Sequence, residues 1–516
     1  MVAGPLAFSL ERSAGAAPLF RQIHHGIRSA ILEGALTNGD RLQPERDLAA
    51  SLGVNRTTVM RAYQELVDEG LVEACPGRGT VVTIRLRAAD LFAPPSGDDV
   101  PGWLLSLPSF GDGNLGPDPS LLRDVSEASD RPDMVSMALG APGVDLIPAD
   151  ELREACNAVI ERAKGDALGY GPVEGLLSLR EHIARHLDSR GVHASPSEVM
   201  ILSGATQGLS LAARTLVEPG DEVVVEAPTY VGILQTFAAA GARIIGVPVD
   251  RRGMRLDELA GVLARGRARL IVVQPTLHNP TNTTMPHDRR CQLLALARRY
   301  GIPVLEDDAY GELWRDGSGP APLKALDTHG QVIYLGTFSK TVAPALRLGW
   351  VVAPRAYIGR LTLAKQFADL QSGLLAQYAV EGLMAGGGFA LHLERVRHAY
   401  NERRRAALAA LQDLPGVTTE SGSDGGFYLW CRLPEGMTSR AFALEANRAG
   451  VALLAGEAFY PHASAGSNLG ARYFRLSYSA QSPKAIRGAM RRLEPLLRGR
   501  HQLCTEYGTS EALPVI

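Results

Sequence analysis

A lysine that follows two small hydroxyl residues is the first sign of chemistry in this chain, in the string GTFSK at 336–340. Apolar runs flank the string on both sides, so Lys340 lies on a loop between two predicted strands. An amine can bond an aldehyde carbon, while Thr337, Ser339 and the guanidinium of Arg347 can hold a phosphate. The pattern indicates a site for a phosphorylated aldehyde, although a surface lysine on a polar loop would have the same residues.

Four further polar clusters each follow a short apolar run that is typical of a buried strand. The runs alternate with helical patterns, which favours an open α/β sheet. In such sheets the ligand site lies at the carboxyl ends of the strands, so we expect the clusters to gather around Lys340. The clusters are GATQG at 204–208, EAPTY at 226–230, QPTLHNP at 274–280 and EDDAY at 306–310.

Three of these clusters offer groups that suit a phosphorylated aromatic cofactor. The free backbone N–H groups of a helix that begins at 204–207 suit a phosphate, and Tyr230 can lie flat on an aromatic ring. The side-chain amide of Asn279 is a hydrogen-bond donor. Taken singly, the three features are also typical of an ordinary βα turn, of core packing and of a turn residue.

Asp307 and Tyr310 stand three residues apart in the fourth cluster. A carboxylate can keep a pyridine nitrogen protonated, and a phenol can hydrogen-bond the ring hydroxyl, although an acidic turn would have the same residues. Far downstream, Arg475 interrupts an apolar, strand-like run at 473–479. An arginine there needs an acidic partner, which is either a substrate carboxylate or an internal salt bridge.

Together these clusters resemble the fold-type I pyridoxal-phosphate (PLP) aminotransferases of class I/II. The strings that carry the resemblance follow the family's order: SGATQG, EAPTYVG, HNPTN, EDDAY, GTFSK, LRLGW and FRLSYS, between Val135 and Leu497. The resemblance implies an α/β fold with a large, mostly parallel sheet domain at 134–385. A smaller C-terminal α+β domain would follow at 386–500.

The resemblance also implies a role for each residue. Lys340 would form the internal aldimine with PLP, and Asp307 would pair with the pyridine nitrogen, which together with Tyr310 makes the catalytic set. Tyr310 and Asn279 would hold the ring oxygen, and Tyr230 would stack on the ring. The phosphate would be bound by Gly204, Ala205, Thr206, Thr337, Ser339 and Arg347.

Three further residues connect the resemblance to partners. Arg475 would bind the α-carboxylate of an amino acid. Tyr170 would reach the phosphate of the neighbouring subunit, which implies a homodimer with a domain-swapped, head-to-tail arrangement. Asn282 departs from the family, which usually has glycine after Asn-Pro-Thr, and this puts the local turn in question but no direct cofactor contact.

A small helical module precedes this region. Pro44 can open a short helix that Gly53 ends, and Asn55 can cap the next helix. The string PGRG at 76–79 lies between two β-prone arms, which predicts a hairpin. Two helices joined by a tight turn and followed by a hairpin form the layout of an α+β winged helix-turn-helix.

The strings PERDLAASLGVNRTTVMRAYQELVDEGLV and PGRGTVV resemble the GntR family of winged-helix regulators, between Pro18 and Thr83. Residues 1–84 hold eight arginines and no lysine against nine acidic residues, so this is no basic domain. A winged helix that makes protein contacts is therefore the alternative. The residues that the resemblance assigns to double-stranded DNA are Arg46, Arg56, Thr57, Thr58, Arg61 and Arg78.

The composition of the chain limits which class of protein it can be and how many domains it has. The 516 residues are 46% hydrophobic and 21% charged, with a net charge of −2, which is typical of a soluble multidomain protein. No apolar run has transmembrane length and no signal-peptide pattern is present, so we expect a cytoplasmic protein. Five scattered cysteines predict no metal site. We predict domains at 1–84, 134–385 and 386–500, a turn-rich linker at 85–133 and a tail at 501–516.

The two halves in one chain resemble the MocR subfamily of GntR regulators. The resemblance implies a cytoplasmic transcription regulator whose winged helix binds an operator. Its PLP domain would sense an amino acid or an amine by aldimine exchange at Lys340 and couple this to DNA binding. The alternative is an active aminotransferase that acts on an amino acid, because no residue of the catalytic type is missing.

Overall fold

The computed structural model describes residues 10–12, 17–32, 35–75, 79–83, 133–420, 422, 424–461 and 469–506. Contacts within the chain divide it into two units, 1–107 and 108–516. The linker was predicted at 85–133. All of it except Asp133 lies outside the described residues, so its boundaries stay a prediction.

The described part of the first unit contains three helices and a hairpin, which are α1 (Leu19–Leu32), α2 (Glu45–Leu52), α3 (Arg56–Asp68), β1 (Val72–Cys75) and β2 (Gly79–Val82). Gly53 ends α2 in the left-handed conformation, with φ 61°, and the side chain of Asn55 accepts a hydrogen bond from the Thr57 amide at 3.1 Å. Strands β1 and β2 pair antiparallel. The predicted winged helix-turn-helix is confirmed.

The described part of the second unit alternates strands and helices over most of its length. Its helices are α4 (Ala149–Ala163), α5 (Leu177–Asp188), α6 (Ala205–Leu216), α7 (Val231–Ala239), α8 (Leu256–Leu263), α9 (His287–Tyr300), α10 (Leu323–Leu326), α11 (Arg355–Ala368), α12 (Leu374–Ala385), α13 (Gly388–Leu411), α14 (Ser439–Arg448) and α15 (Pro483–Glu506). Its strands are β3 (Val135–Ser136), β4 (Val199–Leu202), β5 (Glu222–Ala227), β6 (Arg243–Asp250), β7 (Gly253–Met254), β8 (Ala268–Val273), β9 (Val304–Asp307), β10 (Val332–Thr337), β11 (Gly349–Val352), β12 (Thr418–Thr419), β13 (Tyr428–Arg432), β14 (Val451–Ala452), β15 (Leu454–Ala455) and β16 (Tyr473–Ser477). Helix α15 thus continues to Glu506, into the stretch predicted as a tail.

An eight-stranded sheet forms the centre of this unit, in the order β4-β11-β10-β9-β8-β5-β6-β7. Strands β10, β9, β8, β5 and β6 run parallel to one another, whereas β11 runs antiparallel to both β4 and β10, and β7 runs antiparallel to β6. Both faces are apolar because helices cover them, as the buried runs at 199–202, 270–273 and 332–337 indicate. The predicted large, mostly parallel sheet is confirmed.

A smaller, four-stranded sheet has the order β12-β13-β16-β15. A separate two-stranded pair joins β3 to β14, so the first described strand of the second unit pairs with its C-terminal part. The Met137 amide continues this pairing by donating to the Ala452 carbonyl at 2.9 Å. The pairing brings the segment 138–141 beside the ends of the large sheet. None of the described helices is long and apolar enough to cross a bilayer.

Candidate functional site

The carboxyl ends of the parallel strands open into a cavity of about 400 Å³. Helix α6 begins directly after β4, and Lys340 follows β10, so the sheet brings together clusters that are far apart in sequence. Gly204 lies directly before the lining residue Ala205, whereas Tyr170 is 88% exposed and does not line the cavity. The predicted residues that line the cavity are Ala205, Thr206, Tyr230, Asn279, Asp307, Tyr310, Thr337, Ser339, Lys340, Arg347 and Arg475.

The amine of Lys340 points into this cavity and donates to the carbonyl oxygen of Gly140 at 2.6 Å. No carboxylate lies within ion-pair distance of Nζ among the described side chains. Burial lowers the pKa of Lys340 below its usual range, because the charged ammonium loses its hydration. A larger fraction of the amine is therefore in the neutral, nucleophilic form than in an exposed lysine.

Asp307 ends β9 and is almost fully buried. Its Oδ2 accepts a hydrogen bond from the Gln274 side chain at 2.7 Å, whereas Oδ1 is buried and has no partner among the described residues. Burial raises the pKa of Asp307 to about 6, although the Gln274 bond opposes this change. Gln274 was not among the predicted site residues, although its position directly after an apolar strand is the signal that identified the others.

Tyr310 follows three residues after Asp307, and its hydroxyl is 2.7 Å from the hydroxyl of Tyr428. Burial raises the pKa of Tyr310 well above its usual range, and the nearby Tyr428 adds to this effect. The phenol therefore stays protonated. Sequence reasoning missed Tyr428, because it stands in the apolar string FYLW at 427–430, which is typical of a core strand.

A cradle for an anion lies where α6 begins. Gly204 has a φ of 90°, and no side chain caps the first turn of this helix. A Cβ at Gly204 would lie 2.7 Å from Arg347 Nη2, so a side chain there would collide with the guanidinium. Arg347 Nη1 is 3.4 Å from Ser339 Oγ, and the Ser339 amide donates to Thr337 Oγ1 at 3.1 Å. Backbone amides, hydroxyls and a guanidinium thus converge on one place.

Arg475 lies on β16 and is 5% exposed. Its Nη1 donates to Asn279 Oδ1 at 2.8 Å, and Nη2 donates to the Ala138 carbonyl. Its Nε is buried without a hydrogen-bond partner, and no acidic side chain pairs with the guanidinium among the described residues. Of the two predicted alternatives, the internal salt bridge is therefore absent from the described structure.

Asn282, where the resembled family usually has glycine, adopts the left-handed conformation with a φ of 55°. Asparagine is one of the few residues that tolerate this conformation. Its side chain is fully buried, and Nδ2 donates to the Gly425 carbonyl at 3.1 Å. The local turn is thus compatible with asparagine, and Asn282 does not line the cavity.

The winged helix places several predicted DNA-binding residues around the N-terminus of α3. Arg56 and Thr57 are exposed there, and Arg56 forms an ion pair with Glu45 at 3.0 Å. Arg46 is exposed in the first turn of α2, whereas Thr58 is only partly exposed. These positions form one polar surface at the start of the second helix of the helix-turn-helix.

Two predicted DNA-binding residues differ from this group. The guanidinium of Arg61 lies 3.8 Å from the ring centroid of Phe20 and 3.7 Å from a carboxylate oxygen of Glu65. Arg61 therefore already has intramolecular partners in α1 and α3. Arg78, at the predicted tip of the wing, lies outside the described residues.

Comparisons with known proteins match both units. The family of bacterial regulatory proteins named gntR matches residues 19–82, and the aminotransferase class I and II family matches residues 132–493. The HTH-type regulator YdfD of Bacillus subtilis is 31% identical over 96% of this chain and 98% of its own length. The probable rhizopine catabolism regulatory protein MocR of Rhizobium meliloti is 31% identical over 93% of each chain.

This chain belongs to the MocR subfamily of GntR-type regulators. Its second unit is also similar to solved aminotransferases. The structure of LysN, an alpha-aminoadipate aminotransferase of Thermus thermophilus complexed with N-(5'-phosphopyridoxyl)-L-leucine, is 35% identical. It covers 78% of this chain and 99% of its own, with a TM-score of 0.70.

The class I and II aminotransferase domain of this MocR-type chain binds PLP, and its residues fit that cofactor. The free, buried Oδ1 of Asp307 suits the protonated nitrogen of a pyridine ring. The anion cradle at the start of α6 suits a phosphate, and the buried amine of Lys340 suits an aldehyde. No cluster of His, Cys, Asp and Glu that could hold a metal ion occurs in the part of the chain that the structure describes.

Proposed function

We propose that this protein is a PLP-dependent transcription regulator that binds operator DNA through its winged helix and responds to an amino compound at Lys340. The observation that carries the proposal is the presence of both devices in one chain: a helix-turn-helix with an arginine-bearing surface, and a buried amine in a cavity suited to PLP. When bound, PLP supplies an aldehyde carbon at which the effector's amine can replace that of Lys340.

Each group of the cavity has a separate task in this proposal. Asp307 holds the proton on the cofactor ring nitrogen, while Tyr310 and Asn279 hydrogen-bond the ring oxygen and Tyr230 packs on the ring. Because Asp307, Tyr310 and Asn279 are buried, their electrostatic contacts are stronger than they would be in water. Lys340 can accept the proton of the incoming ammonium, because its lowered pKa leaves a larger fraction of its amine unprotonated than in an exposed lysine. The phosphate is anchored by Gly204, Ala205, Thr206, Thr337, Ser339 and Arg347, and by Tyr170 from the second subunit of a homodimer.

Arg475 selects the effector class in this proposal. It is a buried guanidinium whose described partners, Asn279 and the Ala138 carbonyl, are uncharged. An α-carboxylate would supply the missing negative charge through a charge-assisted, bidentate contact. The effector is thus an α-amino acid or a similar carboxylated amine.

Arg475→Met tests this assignment. Alanine and ethylamine differ only by the α-carboxylate, so the ratio of their half-saturating concentrations isolates the contribution of Arg475. We expect the variant to lose about 100-fold or more of its preference for alanine, because the arginine–carboxylate contact is both charged and buried. The measurement is a titration of the visible absorbance of the PLP-loaded protein. Arg472→Met, outside the cavity, is the matched control, and an unchanged ratio in the Arg475 variant would overturn the assignment.

Arg56→Ala tests DNA binding by the first unit. We expect about tenfold weaker binding to an operator fragment and a smaller salt dependence, by about one phosphate contact. Fluorescence anisotropy at several salt concentrations measures both. Arg28→Ala is the matched control. Arg28 pairs with Glu69, which lies just past the C-terminal end of α3, about 20 Å along that helix from Arg56. Equal losses in the two variants would mean that the surface around Arg56 is not the DNA site.

An active aminotransferase is the second candidate, favoured by the full set of residues around Lys340. It predicts repeated turnover when an amino acid and a keto acid are supplied together. The regulator predicts a change in DNA mobility on adding the amino acid, with little or no turnover. Rapid turnover without DNA binding would overturn the regulator proposal in favour of the aminotransferase. Failure to bind PLP would reject both candidate functions.

A further inference from the structure

Tyr428 lines the cavity where the small sheet meets the large sheet domain, and the sequence pattern predicted no role for it. It begins β13 of the small sheet and is 1% exposed. Its hydroxyl bonds the hydroxyl of Tyr310, which belongs to the large sheet domain, at 2.7 Å. The two residues are 118 positions apart, so this contact joins the small sheet to the proposed cofactor site.

The ring of Tyr428 has a second neighbour, since the Arg475 guanidinium carbon lies 4.2 Å from the ring centroid. In the antiparallel register of β13 and β16, Tyr428 stands opposite Ser477, two residues from Arg475. A desolvated cation over an aromatic face is an attractive contact. One tyrosine therefore contacts both the phenol proposed for the cofactor ring and the guanidinium proposed for the effector carboxylate.

The segment before α4 is shaped to admit this side chain. A Cβ on Gly140 would lie 1.7 Å from the Tyr428 hydroxyl, so only glycine fits there. The carbonyl of the same Gly140 accepts the hydrogen bond from Lys340. Tyr428 thus lies against the backbone that holds the amine, and the Tyr310 hydroxyl is the only polar side chain bonded to its own hydroxyl among the described residues.

We propose that Tyr428 is a positioning residue with two separate contacts: its hydroxyl orients Tyr310 toward the cofactor ring oxygen, and its ring fixes Arg475 for the effector carboxylate. This proposal rests on the proposed function. Either hydroxyl of the pair can donate, but a Tyr310 that donates to the ring oxygen must accept from Tyr428. The resulting chain of two hydrogen bonds is stronger than a single bond, because each bond polarises the next.

Two substitutions separate these contacts. Tyr428→Phe removes the hydroxyl and keeps the ring, whereas Tyr428→Leu removes both. Tyr473→Phe is the matched control, since it removes a tyrosine hydroxyl from the same sheet at a residue outside the cavity. Each protein is loaded with PLP, and the pH midpoint of its visible absorbance is measured, followed by titration with alanine and ethylamine.

We expect Tyr428→Phe to raise the pH midpoint by about 0.5–1 unit, because Tyr310 loses the hydrogen bond that orients and polarises it and therefore stabilises the ring oxygen anion less well. Its preference for alanine over ethylamine should stay within about twofold. Tyr428→Leu should raise the midpoint similarly and also lower that preference by about 5–30-fold, as expected for a lost buried cation–π contact.

The outcomes separate this inference from the function on which it rests. A wild-type protein that gains no visible absorbance with PLP would overturn the proposed function. A wild type that loads normally, with a Tyr428→Phe midpoint equal to that of Tyr473→Phe, would overturn the role of the hydroxyl. An unchanged alanine preference in Tyr428→Leu would overturn the role of the ring. The midpoint of Tyr428→Phe is informative even if the leucine variant does not fold.

Discussion

Lys340→Ala should abolish the visible absorbance that the wild-type protein gains with PLP, together with the amino-acid-dependent change in DNA mobility. The physical reason is that Lys340 supplies the amine of the cavity, and its Nζ points into it from the end of β10. Non-covalent contacts of the phosphate and the ring would remain, so we expect weak, residual PLP binding without covalent attachment. Borohydride reduction followed by mass spectrometry measures the attachment directly.

Lys484→Ala is the matched control for this experiment. Lys484 is one of five lysines in the chain, and it is exposed near the start of α15. It should keep the wild-type absorbance and the wild-type mass increase on reduction. A Lys340→Ala protein that still carries the reduced adduct would mean that another lysine holds the cofactor, and the assignment of the cavity would be wrong.

Asp307→Asn should weaken PLP binding by about 100–1000-fold, which is the effect expected when one partner of a buried ion pair is lost. The carboxylate Oδ1 is buried without a described partner, so the protonated ring nitrogen is the group that would satisfy it. Asparagine keeps the shape and can still accept the Gln274 hydrogen bond, so the variant changes mainly the charge. Fluorescence titration with PLP measures the loss.

The same substitution should have the opposite effect on the cofactor-free protein. Burial raises the pKa of Asp307 to about 6, from 3.8 in an exposed carboxyl. The unfolded chain therefore releases this proton at lower pH than the folded protein. The contribution of Asp307 to the free energy of unfolding should therefore decrease as the pH rises from about 4 to 6 and then stay level. At pH 7, Asp307→Asn should be more stable than the wild type by roughly 3 kcal/mol.

Denaturant unfolding of the cofactor-free wild type and Asp307→Asn at pH 4 and pH 7 tests whether the substitution stabilises the protein only where the wild-type carboxyl is ionised. Asp413→Asn, an exposed change just after the end of α13, should leave both PLP binding and the pH dependence of stability unaltered. A stability gain in Asp307→Asn that is as large at pH 4 as at pH 7 would show that charge burial is not its cause. PLP affinity within threefold of wild type would remove Asp307 from the ring-nitrogen role.

Local features of the sequence were sufficient to predict many of the elements around the cavity and half of the residues that line it. The helix ends at Gly53 and Asn55 follow from neighbouring residues, because a left-handed cap and a side-chain cap depend on the backbone within a few positions. The polar clusters were found because each follows a short apolar strand. A parallel sheet places all such strand ends at one edge, so the sequence order alone was enough to bring them together.

The partners of the site residues could be learned only from the tertiary structure. The contact of Tyr310 with Tyr428 spans 118 positions, that of Arg475 with Asn279 spans 196, and that of Lys340 with Gly140 spans 200. The string around Tyr428 has the pattern of a core strand, and nothing within it indicates a polar partner across the cavity. Such contacts depend on how two sheets pack. Periodicity gives the face on which a side chain lies, but not the side chain of another element that it meets.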